Sequence, residues 1–163
     1  MESVLRAVRL TFFDQRTARQ VMFEHGATGD AVLLVAGVNA LAILISFFRA
    51  GVFDLLGLLQ GILSGIAGWL ILSFAVWLMG TKLLKGNGDP QTMIRTAGFA
   101  ALPLLLGSVG LDLIGLLWYL ALLVLVAKVV FGLGWAEAAA SVALGAALVY
   151  LIQVLFGAGL FRF

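Results

Sequence analysis

From Ala31 to Phe48 no residue carries a charge, and the same apolar density returns after Asp54, after Thr96 and again after Glu137, almost to the terminal Phe163. A bilayer core of about 30 Å takes about 20 apolar residues per helix. The first run therefore predicts a tilted span over 31–48, about 27 Å long at 1.5 Å per residue, with Asn39 as its one strongly polar interior residue. A second predicted span, 55–79, begins after Asp54 and closes with Trp69 and Trp77, and the polar stretch Thr81–Pro90 reads as a loop. The region from Ala97 to Trp135 is interrupted only by Asp112 and Lys128. As one helix it would reach about 57 Å, so it must fold back. Gly107–Ser108–Val109–Gly110 is the natural reversal and Asp112 a candidate cap, which gives spans 93–109 and 112–130. Gly132–Leu133–Gly134 breaks the chain again before an alanine-rich last span, 136–160. The predicted fold is all-α: a polytopic membrane bundle of five transmembrane helices over 31–163.

Residues 1–30 read differently. Val4, Leu5, Val8 and Phe12 recur at helical spacing, Arg6 and Arg9 can reach phosphate, and Asp14 is a candidate cap for a second helix ending at Gly26. The segment is thus expected to be amphipathic and interfacial, either as an anchor that leads into the first span or as a docking surface for a soluble partner. Arginines and acids interrupt its first 25 residues with no short apolar core before a cleavage site, so no signal peptide is expected.

Composition agrees with a membrane class. Of 163 residues, 63% are hydrophobic and 11% charged, too few polar groups to cover a water-soluble globule, and the mean hydropathy is +1.16. With the N-terminus placed inside, Arg6, Arg9, Arg16, Arg19, Lys82, Lys85, Arg95 and Lys128 fall on the cytoplasmic side, and only Arg49 and Arg162 fall outside. This satisfies the positive-inside rule and puts the C-terminus outside. The sequence pI of about 9.4 reflects few charges, since the net charge is +2. Arginines beside a membrane point to lipid headgroups, and no nucleic-acid partner is expected.

Little catalytic chemistry is legible. There is no cysteine, and His25 is the only histidine, which leaves no thiol site, no multi-histidine metal or haem site, and no Ser–His dyad within the membrane. Phe53–Asp54 and Gly110–Leu111–Asp112 echo the paired motifs of intramembrane aspartyl proteases, but both acids fall at predicted helix starts and the spans are too few. No phosphate loop is present. Neither an enzyme nor a cofactor is expected. Asn39, Asp54, Asp112 and Gln153 are candidates for a polar path through the bundle, against the plainer reading that the two acids cap helices and the two amides bond between them.

Glycine carries a packing message. Gly57, Gly61 and Gly65 form a small-residue ridge on the second span with Gly68 beside it, and Ser141 with Gly145 offers a matching notch on the fifth.

The chain from Arg95 onward carries Gly98–Phe99, Pro103, Trp118, Gly132 and Ala138 in an order and spacing similar to the Yip family, the Ypt/Rab-interacting-protein-like membrane proteins. That family places Gly–aromatic–x–x–x–Pro in its third span, a tryptophan in its fourth and a glycine-containing break before an alanine-starting fifth. The long polar N-terminal region of eukaryotic members is missing. The resemblance implies a five-span fold and a compact bacterial-type member, and does not extend to binding a Rab-type GTPase.

The expected function is a non-enzymatic scaffold or accessory subunit of a bacterial cytoplasmic membrane. Its expected partners are membrane lipids and another membrane protein or a second copy of itself, with Arg6, Arg9, Arg16 and Arg19 as the lipid or partner face. The alternative is a small transporter, channel or lipid-handling protein.

Overall fold

A computed structural model describes residues 2–24 and 26–156. His25, the end of the predicted last span and the C-terminus lie outside the described residues. Two short helices, α1 (Glu2–Thr11) and α2 (Gln15–Phe23), precede α3 (Ala27–Ala50) and α4 (Leu55–Leu78), which runs on through a π-helical turn, Met79–Leu83. Next come α5 (Pro90–Phe99), a 3-10 helix (Leu102–Val109), α6 (Asp112–Phe131) and α7 (Trp135–Phe156).

Several boundaries differ from the sequence expectation for identifiable reasons. The first long helix starts at Ala27, because Asp30 does not interrupt it: the carboxylate sits in the first turn, where the helix dipole favours an acid, and accepts a hydrogen bond from Ser3 Oγ at 2.6 Å. Thr81 remains helical by donating to the Trp77 carbonyl at 2.8 Å within the π-helical extension of α4, so the loop begins only after Leu83. Asp112 is the first residue of α6 and not its cap; Leu111 holds the cap position with no side-chain bond.

The larger difference concerns 93–109, expected as one helix. It starts at Pro90, capped by Asp89, and breaks at Ala100–Ala101, where α5 and the 3-10 helix meet at 46°. Pro103 accounts for the break. Its ring removes a backbone donor and disfavours helical geometry at the preceding residue, and the chain tightens to three-residue hydrogen bonds, as in Leu104 N to Ala101 O at 3.0 Å.

Four helices are long and apolar enough to cross a membrane, and the bent pair makes a fifth element of sufficient length and hydropathy. Contacts at its two ends show how far along the bundle that pair reaches. At one end Arg49 Nη1 donates to the Ser108 carbonyl at 2.9 Å. At the other, Phe131 packs onto Gly80, Gly86 and Gly88, where an added Cβ would come within 2.6, 2.8 and 2.7 Å of its side chain, and Asn87 N donates to Phe131 O at 3.1 Å. The chain from Gly88 to Ser108 therefore traverses the bundle. The Phe131 end carries Lys82, Lys85 and Lys128 and is called the basic end below; the other carries Arg49, Asp54 and Asp112.

The core is centred on α5. Thr92, Met93, Arg95, Thr96, Ala97, Gly98 and Phe99 are all buried, and the helix is surrounded by α1, α2, α3, α4 and α6. Gly98 makes this fit possible. A Cβ there would stand 2.8 Å from Ala31 Cβ and 3.0 Å from Trp69 Cζ2, so α5 can wedge between α3 and α4 only without a side chain.

The N-terminal pair is part of this core. Ala7, Leu10, Ala18 and Val21 are fully buried. The stripe predicted from spacing, Val4, Leu5, Val8 and Phe12, faces away from the protein, so α1 is apolar on two sides, one packed in the bundle and one exposed. A capping contact starts α2: Asp14 accepts from Arg16 N at 2.9 Å and from Thr17 Oγ1 at 2.7 Å.

Candidate functional site

The break in the fifth crossing positions a cavity. Gly115 on α6 approaches the backbone closely enough that a Cβ would lie 2.6 Å from the Pro103 carbonyl oxygen. One turn on, and hence on the same face, Tyr119 enters a space beneath the break. That space has a volume of about 250 Å³ and is lined from every crossing: Val35 and Asn39 of α3, Trp69 of α4, Ala101 and Leu104 at the break, Tyr119 of α6, and Val149 and Gln153 of α7. The walls are otherwise apolar. Leu116 and Tyr150, also in the lining, are 44% and 69% exposed, so a mouth opens between α6 and α7.

Three lining residues carry a buried polar atom without a hydrogen-bond partner among the described residues: Trp69 Nε1, Tyr119 Oη and Gln153 Nε2. Each such group costs about 1–3 kcal/mol when left unpaired, and hydrocarbon offers none of the compensation that water would. Asn39 behaves otherwise. Its Nδ2 donates to Val35 O at 2.8 Å, and the amide fills the space where Gly65 would carry a Cβ.

Of the four residues expected along a polar path, the structure thus brings together Asn39 and Gln153 and leaves out both acids. Asp54 is exposed and caps α4, accepting from Leu56 N at 3.0 Å. Asp112 is exposed at the start of α6. Sequence reasoning missed Trp69 and Tyr119. Their signal was a polar-tipped aromatic in mid-span, a residue type that usually finds a partner when buried.

The small residues are also placed. Gly61 and Gly65 meet α3, where an added Cβ would run into Ile43 and Asn39; at Gly57 it would meet Asp54 at 2.6 Å and reach Phe47 of α3 at 3.5 Å. The ridge therefore packs on α3, whereas the sequence suggested a match with α7. Gly68 lines the cavity. Gly145 abuts Val76 of α4, its virtual Cβ 2.9 Å from the Val76 backbone, and Ser141 is buried with its hydroxyl returned to Ala138 O at 2.8 Å.

At the surface of the N-terminal pair, Arg6 is occupied by Glu24 and, at 3.3 Å, by Glu2. Arg9, Arg16 and Arg19 are exposed, and none of them forms an ion pair among the described residues. Lys128 instead lies 4.0 Å from the centre of the Trp135 ring, a cation–π contact at the basic end.

The residues of the family pattern have distinct mechanical roles. Gly98 admits α5 between its neighbours, and Phe99 is fully buried beside it. Pro103 breaks the crossing. Trp118 Nε1 donates to Thr11 O at 3.0 Å and ties α6 to the N-terminal pair. Gly132 ends α6 with φ +66°, a conformation side chains disfavour. Ala138 is fully buried in α7.

Fold and site define a helical integral membrane protein built around a broken central crossing. The Yip1 domain family model matches residues 9–157, nearly the whole chain, and the protein belongs to that family. No curated protein and no solved structure matches it.

Proposed function

We propose that the chain is a non-enzymatic scaffold or accessory subunit of a bacterial cytoplasmic membrane, its basic end inside, that binds a partner membrane protein through the outer face of α1–α2. The observation that carries this reading is a basic platform fixed to the bundle. Ser3, Thr11 and Met22 are hydrogen-bonded to Asp30, Trp118 and Arg95, while Arg9, Arg16 and Arg19 point outward without acidic partners among the described residues. A pre-organised cationic face suits an acidic segment at the membrane surface, because little ordering is needed on binding. The glycine ridge supports a different part of the mechanism than expected: it lets α4 pack closely on α3, the helix against which α1 also packs.

The test is a gentle affinity purification from native membranes, with stoichiometry read by mass spectrometry. The expected result is a companion membrane protein in fixed ratio to the wild-type chain and largely absent from an Arg9→Gln/Arg16→Gln/Arg19→Gln variant. Recovery of the wild type alone, or an unchanged companion with the variant, would overturn the reading.

One observation favours a second reading, a lipid-handling role: the cavity opens sideways between α6 and α7 and carries no acid in its lining. That geometry suits a neutral lipophilic molecule better than an ion.

A further inference from the structure

We propose that the cavity beneath the Ala100–Ala101 break is a binding site for a neutral lipophilic molecule bearing a carbonyl oxygen. The assignment deepens the lipid-handling reading and is independent of the basic platform.

The polar inventory of the lining selects the chemistry. Indole Nε1–H of Trp69 is a donor only, the Gln153 amide nitrogen is a donor, and the Tyr119 hydroxyl donates readily. All three atoms are buried and unpaired. A site lined by residues with unpaired donors and an otherwise apolar wall calls for an acceptor without charge, since no cation lines the cavity to balance an anion. A carbonyl on a hydrocarbon body meets both requirements. The mouth beside Leu116 and Tyr150 is flanked by membrane-facing positions of α6 and α7, so such a molecule can enter from the bilayer with its tail left among the lipids.

Two membrane components share this chemistry: the acyl ester of a phospholipid and the ring carbonyl of a quinone. Water is the competing occupant, because a cavity of this size lined by three unpaired donors has room for several molecules.

Native mass spectrometry of the full chain in mild detergent discriminates among them. The probes are a diester phosphatidylcholine, its diether analogue and a benzoquinone with a decyl tail, each titrated separately. The expected result is a saturable one-to-one adduct with the diester lipid or with the quinone, and a much weaker one with the diether. Preference for the diester identifies the acyl ester as the natural group, and preference for the quinone identifies the ring carbonyl. The Tyr119→Phe/Gln153→Leu variant removes two donors at nearly constant volume and should weaken the adduct about tenfold. Ala146 of α7 also lines the cavity, so Ala146→Leu fills the space and should abolish the adduct while the melting temperature holds or rises; it also serves if the double variant fails to fold. No one-to-one adduct with the diester or the quinone, a diether adduct as strong as the stronger of those two, or an adduct unaffected by the filling variant would overturn the proposal and leave water as the occupant. Loss of the partner in the affinity experiment would leave it untouched.

Discussion

The guanidinium of Arg95 donates to the carbonyl oxygen of Met22 at 2.6 Å, from a side chain that is only 4% exposed. Among the described residues no acid forms an ion pair with it; Asp89 reaches it only through Thr92, whose hydroxyl accepts from Arg95 Nη2 at 3.3 Å and donates to the Asp89 carboxylate. Its direct partner is the negative end of a helix, since Met22 lies in the last turn of α2, where carbonyls lack intrahelical partners and the dipole favours a cation. The contact spans 73 positions of sequence and locks the N-terminal pair onto the most buried helix of the bundle.

Replacing Arg95 by methionine should therefore loosen the N-terminus before it affects the spans. Loss of a hydrogen bond to a charged group corresponds to about 1.5–3 kcal/mol. Hydrogen exchange in detergent micelles should speed up over residues 15–23, with the exchange of α6 and α7 unchanged. Arg95→Lys should give a smaller effect, because it keeps the charge and loses the planar fork. Unaltered protection of α2 in Arg95→Met would refute the lock.

Gly98 and Gly37 are a matched pair for testing which glycines the packing requires. A Cβ at Gly98 meets Ala31 Cβ at 2.8 Å and the Ala31 carbonyl at 3.3 Å, so α3 must move, whereas nothing lies within 4 Å of the same atom at Gly37. Gly98→Ala should lower stability by about 1–3 kcal/mol through overpacking. Gly37→Ala should be neutral or raise it by up to about 1 kcal/mol, the helix-propensity difference. Thermal unfolding in one detergent measures both, and equal effects would refute the assignment.

These two glycines also show where the sequence was legible. Length and hydropathy announced the long helices and the turn-forming glycines, because crossing a bilayer imposes a strict length on any span. They could not say that Gly57, Gly61 and Gly65 face α3, since spacing defines a face and not its neighbour. Pro103 was visible, yet a proline in an apolar run is compatible with a kink, a break or a re-entrant turn. The cavity was less legible still. Asn39 and Gln153 stood out as amides, but Trp69 and Tyr119 looked like ordinary aromatic content, and only tertiary packing leaves their polar atoms without partners. Arg95 read as one more basic charge inside; its burial depends on a carbonyl from α2.

Asp14 gives the N-terminal pair an acid limit. The hydrogen bond from the Thr17 hydroxyl, aided by the backbone amides of Arg16 and Thr17, holds its carboxyl below the usual value of 3.8. A carboxylate with a depressed folded value contributes stability that is fully present above its unfolded value and is lost as pH falls through the folded one. Attachment of α2 should accordingly be constant from neutral pH down to about 5 and weaken below about 4. Asp14→Ala should remove that acid dependence and cost about 1 kcal/mol at pH 7. Exchange rates over residues 15–23 at stepped pH are the measurement, and an identical acid profile in Asp14→Ala would refute the cap.

Asp112 separates a route for ions from a bundle that binds without transport. It is exposed at the first position of α6, off the cavity, where an acid gains about 0.3–1 kcal/mol from the helix dipole. Asp112→Asn keeps the size and hydrogen-bonding ability of the side chain and removes only the charge. It should lower the unfolding free energy by no more than about 1 kcal/mol and leave recovery of the companion protein unchanged, and Asp54→Asn, at the cap of α4, should behave likewise. A transport pathway running through these carboxylates demands the reverse: intact fold and assembly with loss of flux on charge removal. Measuring ion flux into vesicles alongside stability and companion recovery on the same preparations distinguishes the two, because a helix-start role predicts small, parallel effects on stability at both acids and no charge-dependent flux. A large functional loss at either one, with folding preserved, would restore the polar path.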